Sequence, residues 1–129
     1  MSTRVSLSSF TDAAHLAYLG FGERTSAVAL IEEEAMSLCM PIEGSMSPDG
    51  LLRLDDILFA AIPGDALVVY ATRRGGRPMA TEEELAIWRE LVGRHAGSPV
   101  VLCDWLVFVG DDVLLSLAEL AGPPAPWCR

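Results

Sequence analysis

A short segment rich in arginine and glycine is the part of this sequence whose residue types best suit chemistry. It holds three of the nine arginines of the 129-residue chain: Arg73, Arg74, Gly75, Gly76 and Arg77. Guanidinium groups and glycine amides both suit a carboxylate or a phosphate, so the segment is a candidate anion-binding loop. The alternative is a solvated hairpin whose arginines pair with Glu82–Glu84. We favour this second interpretation, because most runs of charge are simply solvated.

The overall charge restricts what such a loop can bind. The chain has 18 acidic and 9 basic residues, a formal net charge of −9, and every basic residue is an arginine. The lack of lysine excludes Schiff-base chemistry and a P-loop. A net charge of −9 repels phosphate backbones, so we do not expect nucleic acid as a partner. The length and the 51% apolar fraction are typical of one globular domain, with no apolar run long enough for a membrane span.

The other residues with reactive or metal-binding side chains are scattered along the chain. His15 and His95 are distant in sequence, and His95 suits the end of a helix, where a cation meets the negative end of the dipole. The acidic pairs Asp55–Asp56 and Asp111–Asp112 are expected to be solvated, because neighbouring residues on a turn or an exposed helix face do not share a cleft. None of these residues by itself predicts a catalytic site.

The cysteines and the first residues indicate a compartment. The three cysteines are Cys39, Cys103 and Cys128, an odd number with no Cys-x-x-Cys spacing, which favours reduced thiols. Residues 1–12 are polar and lack the apolar core of a signal peptide. We therefore expect a cytoplasmic protein.

Hydrophobic periodicity predicts an α/β domain in which helices cover a mixed sheet. The predicted strands are His15–Phe21, Ala27–Ile31, Met36–Ile42, Ala66–Ala71, Val100–Val109 and Val113–Leu117. The predicted helices are Leu51–Ile62 and a second that runs from the N-cap Thr81 to a stop at Gly97. The run Glu32–Glu34 is expected to end an edge strand. We assign residues 1–12 to a lead-in, 13–121 to the domain and 122–129 to a proline-rich tail.

Several segments together follow the pattern of one known family. Thr81–Leu91 is similar to a family helix that opens with Ser-x-x-Asp-Leu. Cys103–Asp112 is similar to a strand and turn with the pattern Leu-Asp-His-Leu-Ile-x-Gly-(Asp), and Val113–Glu119 to a closing strand that ends in Ser-x-x-Glu. Leu54–Ile62 resembles the family's central helix, and Ala66–Tyr70 resembles the strand that delivers metal ligands. From about Leu16 to Leu120, the chain resembles the RadC-like branch of the JAB/MPN metalloprotease-fold domains.

The resemblance implies the JAB/MPN fold, a cytidine-deaminase-like mixed sheet sandwiched by helices. It also implies a zinc site, with a His-x-His pair at a strand end, a later Asp, and a Glu general base on the first strand. In this sequence the two histidine positions hold Tyr70 and Thr72. The Asp position holds Glu84 when Thr81 takes the family's serine position, and the general-base position holds Ala14.

Two of these positions depend on the alignment. Without one extra residue in the loop, Ala80 and Glu83 replace Thr81 and Glu84, and a one-residue slip in the first strand puts His15 at the general-base position. In every case both imidazoles are missing, and neither tyrosine nor threonine is a good zinc ligand. A single carboxylate does not hold zinc.

These losses predict a pseudoenzyme with no catalytic residue, no zinc and no other cofactor. The resemblance implies a bacterial-type binding or scaffolding module that self-associates or pairs with a protein partner, without membrane association. One alternative is a metal-dependent hydrolase, isopeptidase- or peptidase-like, with a rearranged site drawn from His15, Glu84, Asp104 and His95. The other alternative is a DNA-associated RadC-like protein.

Overall fold

The computed structural model describes residues 14, 17, 18, 21, 25–33, 36–43, 48–62, 64–110 and 113–122. The strands are β1 (Thr25–Glu33), β2 (Met36–Glu43), β3 (Ala66–Arg74), β4 (Val100–Val109) and β5 (Val113–Ser116). The helices are α1 (Pro48–Ala61), α2 (Glu82–His95) and α3 (Leu117–Ala121). The lead-in assigned to residues 1–12 lies outside the described residues, as does the tail beyond Gly122.

The five strands form one mixed sheet in the order β2-β1-β3-β4-β5. β3 and β4 are parallel, whereas the other neighbouring strands are antiparallel. A parallel pair needs a crossover connection, and α2 supplies it. The carboxyl ends of β3 and β4 therefore lie side by side, with Arg74 opposite Val109. Crevices at such strand ends are where α/β proteins commonly bind ligands.

Each face of the sheet has its own core. On one face the strands pack against the three helices, and the buried residues there include Leu51, Leu54, Leu58, Tyr70, Trp88, Leu91, Trp105 and Leu117. The other face buries a smaller cluster that includes Ala17, Val28, Leu30, Val69, Ala71, Cys103 and Leu106. The predicted architecture, a mixed sheet in an α/β domain, is thus confirmed. None of the helices among the described residues is long and apolar enough to cross a membrane.

The strand predicted for His15–Phe21 is wrong. Ala14, Ala17 and Tyr18 are helical, and Phe21 lies outside any strand. Ala14, Ala17 and Phe21 follow a helical spacing of i, i+3 and i+7, and all three pack in the second core cluster. A short apolar run is compatible with either a strand or a buried helical segment. Here the high helix propensity of alanine favours the helix.

Three other boundaries differ from the prediction. β1 is not an edge strand, because it pairs with both β2 and β3, so Glu32 and Glu33 do not protect a sheet edge. The last strand ends at Ser116, and Leu117, predicted to be its final residue, begins α3. β3 continues to Arg74, so Arg73 and Arg74 belong to a strand and not to a loop.

The buried face of α1 also differs from the prediction. Ile57, placed in the apolar stripe by the sequence pattern, is 66% exposed, whereas Asp55 is 1% exposed. The buried residues Leu51, Leu54, Asp55 and Leu58 follow the spacing i, i+3, i+4 and i+7. The expectation that Asp55 is solvated is therefore wrong, and its carboxylate lies inside the protein.

Candidate functional site

The candidate site lies where β3 ends, next to the first turn of α2. Successive side chains of a strand point to opposite faces, so Tyr70, Thr72 and Arg74 share one face. That face is the one covered by the helices, because Tyr70 belongs to the larger core cluster. The sheet thus directs both implied histidine positions, and Arg74 beyond them, towards the helix layer.

Arg74 and Glu84 form the central ion pair of the site. The guanidinium Nε donates to Oε2 of Glu84 at 2.7 Å, and Nη2 donates to Oε1 at 2.8 Å. Two parallel bonds between a guanidinium and a carboxylate are the strongest form of this interaction. The Glu84 side chain is only 2% exposed and that of Arg74 is 24% exposed, so the pair is largely shielded from water.

Arg74 also organises the loop that follows β3. Its Nη1 donates to the carbonyl oxygens of Gly75 and Arg77, both at 3.0 Å, and its Nη2 donates to the carbonyl oxygen of Met79 at 2.7 Å. Gly76 adopts a φ of +93°, which favours glycine. One side chain thereby satisfies three loop carbonyls and one buried carboxylate.

The predicted capping box at the start of α2 is confirmed. The Thr81 hydroxyl accepts from the Glu84 amide at 3.1 Å, and Glu84 Oε1 accepts from the Thr81 amide at 2.9 Å. Burial raises the pKa of Glu84, but the hydrogen bonds from Arg74 and Thr81 outweigh this effect and lower it below its usual value. Glu84 is therefore ionised, and both of its carboxylate oxygens already accept hydrogen bonds.

Tyr70 and Thr72, the residues at the two implied histidine positions, also form hydrogen bonds within the protein. Thr72 Oγ1 accepts from the indole Nε1 of Trp105 at 2.9 Å. The Tyr70 hydroxyl donates to Asp55 Oδ1 at 2.5 Å. Burial, reinforced by the Asp55 charge, strongly raises the pKa of Tyr70, so its hydroxyl stays protonated. A neutral phenol and a threonine hydroxyl that already has a partner are poor donors to zinc.

A buried polar cluster lies beneath the site, and the sequence did not predict it. His95, 7% exposed, contacts Asp55 Oδ1 through Nε2 and the Val100 carbonyl oxygen through Nδ1, both at 2.7 Å. A carbonyl only accepts, so Nδ1 carries a proton. Burial lowers the pKa of His95, but the bonds to Asp55 and Val100 outweigh burial and raise it. When both ring nitrogens carry a proton, Asp55 and His95 form an ion pair.

The second oxygen of Asp55 has a different environment. Oδ2 is buried and has no hydrogen-bond partner among the described residues, and the Nη1 of Arg94 lies 4.0 Å from it. Arg94 instead contacts the exposed Asp56 and the Leu52 carbonyl oxygen. The interpretation of His95 as a helix-end residue stabilised by the dipole is therefore incomplete, because its main partner is Asp55 of α1.

The three arginines of the candidate anion-binding loop do not converge. Arg73 faces the opposite side of the sheet from Arg74, and its guanidinium carbon lies 5.3 Å from the centre of the Phe21 ring. Arg77 is exposed, as are Gly75 and Gly76. The pairing expected between these arginines and the next helix is confirmed for Arg74 and Glu84. Arg73 and Arg74 point to opposite faces because both belong to β3, and successive side chains of a strand alternate between its faces.

The position implied for a general base is not on a strand. Ala14 lies in the helical segment and packs in the smaller core cluster, so the alignment of a first strand over this position is wrong. The alternative residue, His15, lies outside the described residues. The glutamates of β1, Glu32 and Glu33, lie opposite Leu67 and Ala66, at the other end of β3 from Thr72.

The residues considered for a rearranged metal site are held apart. Glu84 and His95 lie at opposite ends of α2, about 16 Å apart at 1.5 Å per residue. Asp104 is fully buried and accepts from the Trp105 amide at 2.7 Å, the Ala118 amide at 2.9 Å, and the Ser116 hydroxyl. Burial raises the pKa of Asp104 despite these bonds. Among the described residues, no three His, Cys, Asp or Glu side chains are grouped to hold a metal ion.

The expectation of reduced cysteines is wrong for Cys103. Cys103 is fully buried on β4 and disulfide-bonded. The side chains of Cys39 and Cys128 lie outside the described part of the structure.

No protein-family model matches this chain, and neither a curated protein nor a solved structure shows significant similarity to it.

Proposed function

We propose that this chain is a non-catalytic domain of the RadC-like JAB/MPN fold that acts as a binding or scaffolding module. Its partner is a protein, either another chain or a second copy of itself. The observation that carries the proposal is the ion pair of Arg74 and Glu84. A guanidinium already neutralises the one carboxylate that the resemblance assigns to the metal site.

The order of elements supports the fold part of the proposal. The central helix, the ligand-bearing strand, the Ser-x-x-Asp helix and the last two strands of the resemblance correspond to α1, β3, α2, β4 and β5. Two motifs that resemble the family separately also meet: the Ser116 hydroxyl donates to Asp104 and accepts from the Glu119 amide at 3.2 Å. Agreement between separate motifs and their contacts is a stronger argument than either motif alone.

The chemistry supports the non-catalytic part. Zinc hydrolases of this type need three nitrogen or oxygen ligands, an open coordination position, and a carboxylate near the activated water. At this site Tyr70 binds Asp55, Thr72 binds Trp105 and Glu84 binds Arg74. These residues do not fit zinc. The rigid strand end and its loop are suited to presenting a surface to a partner.

Metal analysis tests the proposal directly. The purified protein is dialysed against excess zinc, then against buffer, and its metal content is measured by plasma mass spectrometry. We expect far less than one zinc per chain and no hydrolysis of peptide or isopeptide substrates. About one tightly held zinc per chain, the stoichiometry of a catalytic site, would contradict the proposal.

A matched variant locates any zinc that is found. Glu84→Gln removes the carboxylate charge while keeping a side chain that can accept from Thr81. Zinc that disappears in Glu84→Gln binds at the candidate site and refutes the non-catalytic interpretation. Zinc that persists in this variant binds at another position, and it then favours the alternative of a rearranged metal site.

A further inference from the structure

The disulfide of Cys103 can be assigned a partner from the register of the sheet. Cys103 is fully buried and disulfide-bonded. The chain contains two other cysteines, Cys39 on β2 and Cys128 beyond α3. A disulfide requires that the Cα atoms of its two cysteines lie about 4.4–6.8 Å apart. The partner is therefore the cysteine whose place in the fold allows this distance.

Cys39 is too far away to be that partner. Its Cα lies opposite that of Leu30 on β1, and Leu30 lies opposite Val69 on β3. Val69 in turn lies opposite Asp104, the residue that follows Cys103 on β4. This path crosses three intervals between neighbouring strands of about 4.8 Å each, so the Cα atoms of the two cysteines are roughly 14 Å apart. That separation is about twice the longest distance that a disulfide spans.

A local irregularity of β4 sets the position of Cys103. Val68 lies opposite Leu102 and Val69 opposite Asp104, so β4 contains one more residue than β3 at this point, and that residue is Cys103. An extra residue of this kind re-aims a side chain. Cys103 packs in the smaller core cluster, on the face of the sheet that the three helices do not cover. The disulfide therefore lies on that second face.

The end of α3 lies on the other face, the one covered by the helices. Leu117 and Trp88 belong to the larger core cluster, and the Trp88 indole Nε1 donates to the Gly122 carbonyl oxygen at 3.2 Å. Six residue steps lead from Gly122 to Cys128, and an extended chain of that length spans about 20 Å. In the described sheet, β5 alone separates β4 from this edge. The route round the edge is about 10 Å for a packed layer plus about 4.8 Å for one strand, which is within reach.

We propose that the disulfide joins Cys103 to Cys128, so that residues 123–128 form a covalently closed strap from the helix-covered face to the second face. Its formation requires an oxidant such as a small-molecule disulfide. The two cysteine thiols lose two protons and two electrons, and the oxidant becomes two thiols. Cys39 takes no part in this bond. The strap goes beyond the proposed function and does not depend on it.

The burial of Cys103 determines how the bond responds to a reductant. Because Cys103 is fully buried, a reducing thiolate must attack the sulfur of Cys128. The departing Cys103 thiolate would then carry its charge among apolar side chains, which is unfavourable. The strap is therefore protected from reduction as long as the domain is folded.

Peptide mapping without reduction tests the connectivity. Trypsin cleaves after arginine, and the peptide 95–129 contains no internal arginine, so it holds both Cys103 and Cys128. Cys39 is in the peptide 25–53. The protein is alkylated with iodoacetamide in denaturant, digested, and analysed by mass spectrometry. We expect one alkyl group on the peptide 25–53 and none on the peptide 95–129, which accepts two after reduction.

Two serine variants and a rate measurement complete the test. Cys39→Ser should show no reactive thiol before reduction, whereas Cys128→Ser should show two, and neither variant alters the buried Cys103. Circular dichroism verifies that both variants are folded. We expect dithiothreitol to reduce the native protein at least about tenfold more slowly than the protein in urea, because unfolding exposes the sulfur of Cys103.

Several outcomes would overturn the strap. Peptides 25–53 and 95–129 that are linked to each other before reduction would show that Cys39 is in the disulfide. Alkylation of the peptide 95–129 before reduction would show that its two cysteines are not joined. An intact mass of two cross-linked chains would assign the bond to a contact between chains. Equal reduction rates in buffer and in urea would refute the protection by burial.

Discussion

The guanidinium of Arg74 and the carboxylate of Glu84 are joined by two parallel hydrogen bonds, although they come from different elements ten residues apart. The pair links the end of β3 to the first turn of α2. Because the Glu84 side chain is almost entirely buried, Arg74 and the Thr81 amide together stabilise its charge.

Replacing Arg74 should therefore destabilise the protein markedly. In Arg74→Ala the buried Glu84 loses its counterion, and we expect the free energy of unfolding to fall by roughly 3 kcal/mol, as for other broken buried pairs. Urea denaturation followed by tryptophan fluorescence measures the change. The exposed Arg89 is the matched control, for which Arg89→Ala should change stability by no more than about 0.5 kcal/mol. Equal losses in the two variants would contradict a central role for the ion pair.

The buried histidine predicts a dependence of stability on alkaline pH. The pKa of His95 is raised above its ordinary value of 6.5 in the folded protein, so folding is favoured by the bound proton. This contribution is fully present below pH 6.5 and is lost as the pH rises through the raised pKa. We expect the free energy of unfolding to decrease above neutrality, and His95→Gln to abolish that part of the decrease. A profile of native stability that is flat between pH 6 and 9, the range set by the ordinary histidine pKa, would argue against the ion pair with Asp55.

Tyr70 should stabilise the protein through its hydroxyl as well as its ring. Tyr70→Phe keeps the packing but removes the bond to Asp55, and a hydrogen bond to a charged group contributes about 1.5–3 kcal/mol. The control is Tyr18→Phe, because Tyr18 is 64% exposed. We expect thermal unfolding to shift down for Tyr70→Phe alone. Similar melting temperatures for both variants would show that the Tyr70 hydroxyl contributes little.

The state of the cysteines can be counted chemically. With three cysteines in the chain and Cys103 in a disulfide, one thiol should react with iodoacetamide in denaturant without reductant, and three after reduction. Mass spectrometry of the intact protein gives both numbers. Reaction of all three thiols before reduction would contradict the disulfide.

Local signals predicted α2 correctly. Thr81 and Glu84 satisfy each other's amides within four residues, so the capping box needs no information from the rest of the chain. The apolar runs of β3 and β4 are likewise strands because both faces are buried. Such patterns depend only on residues that are close in sequence, so they can be recognised without knowing the fold.

The site could not be predicted in the same way, because its contacts join distant segments. Asp55 meets Tyr70 and His95, which lie 15 and 40 residues away. One signal was present in the sequence: Asp55 lies four residues after Leu51 and three before Leu58, which places it on the buried side of α1. The sequence predicted that an arginine of this segment pairs with Glu82–Glu84, but the choice of Arg74 depended on β3 being three residues longer than its apolar run.

The central position of β3 has a consequence for how the chain is made. β1 and β2 precede β3 in the sequence, whereas its parallel neighbour β4 begins only at Val100. While the ribosome is still synthesising α2, one edge of an apolar strand has no partner, and such an edge is a template for pairing with other chains. Arg73 and Arg74, at the end of that strand, place two like charges where nascent chains would stack. We expect these two positive charges to oppose edge-to-edge pairing between nascent chains.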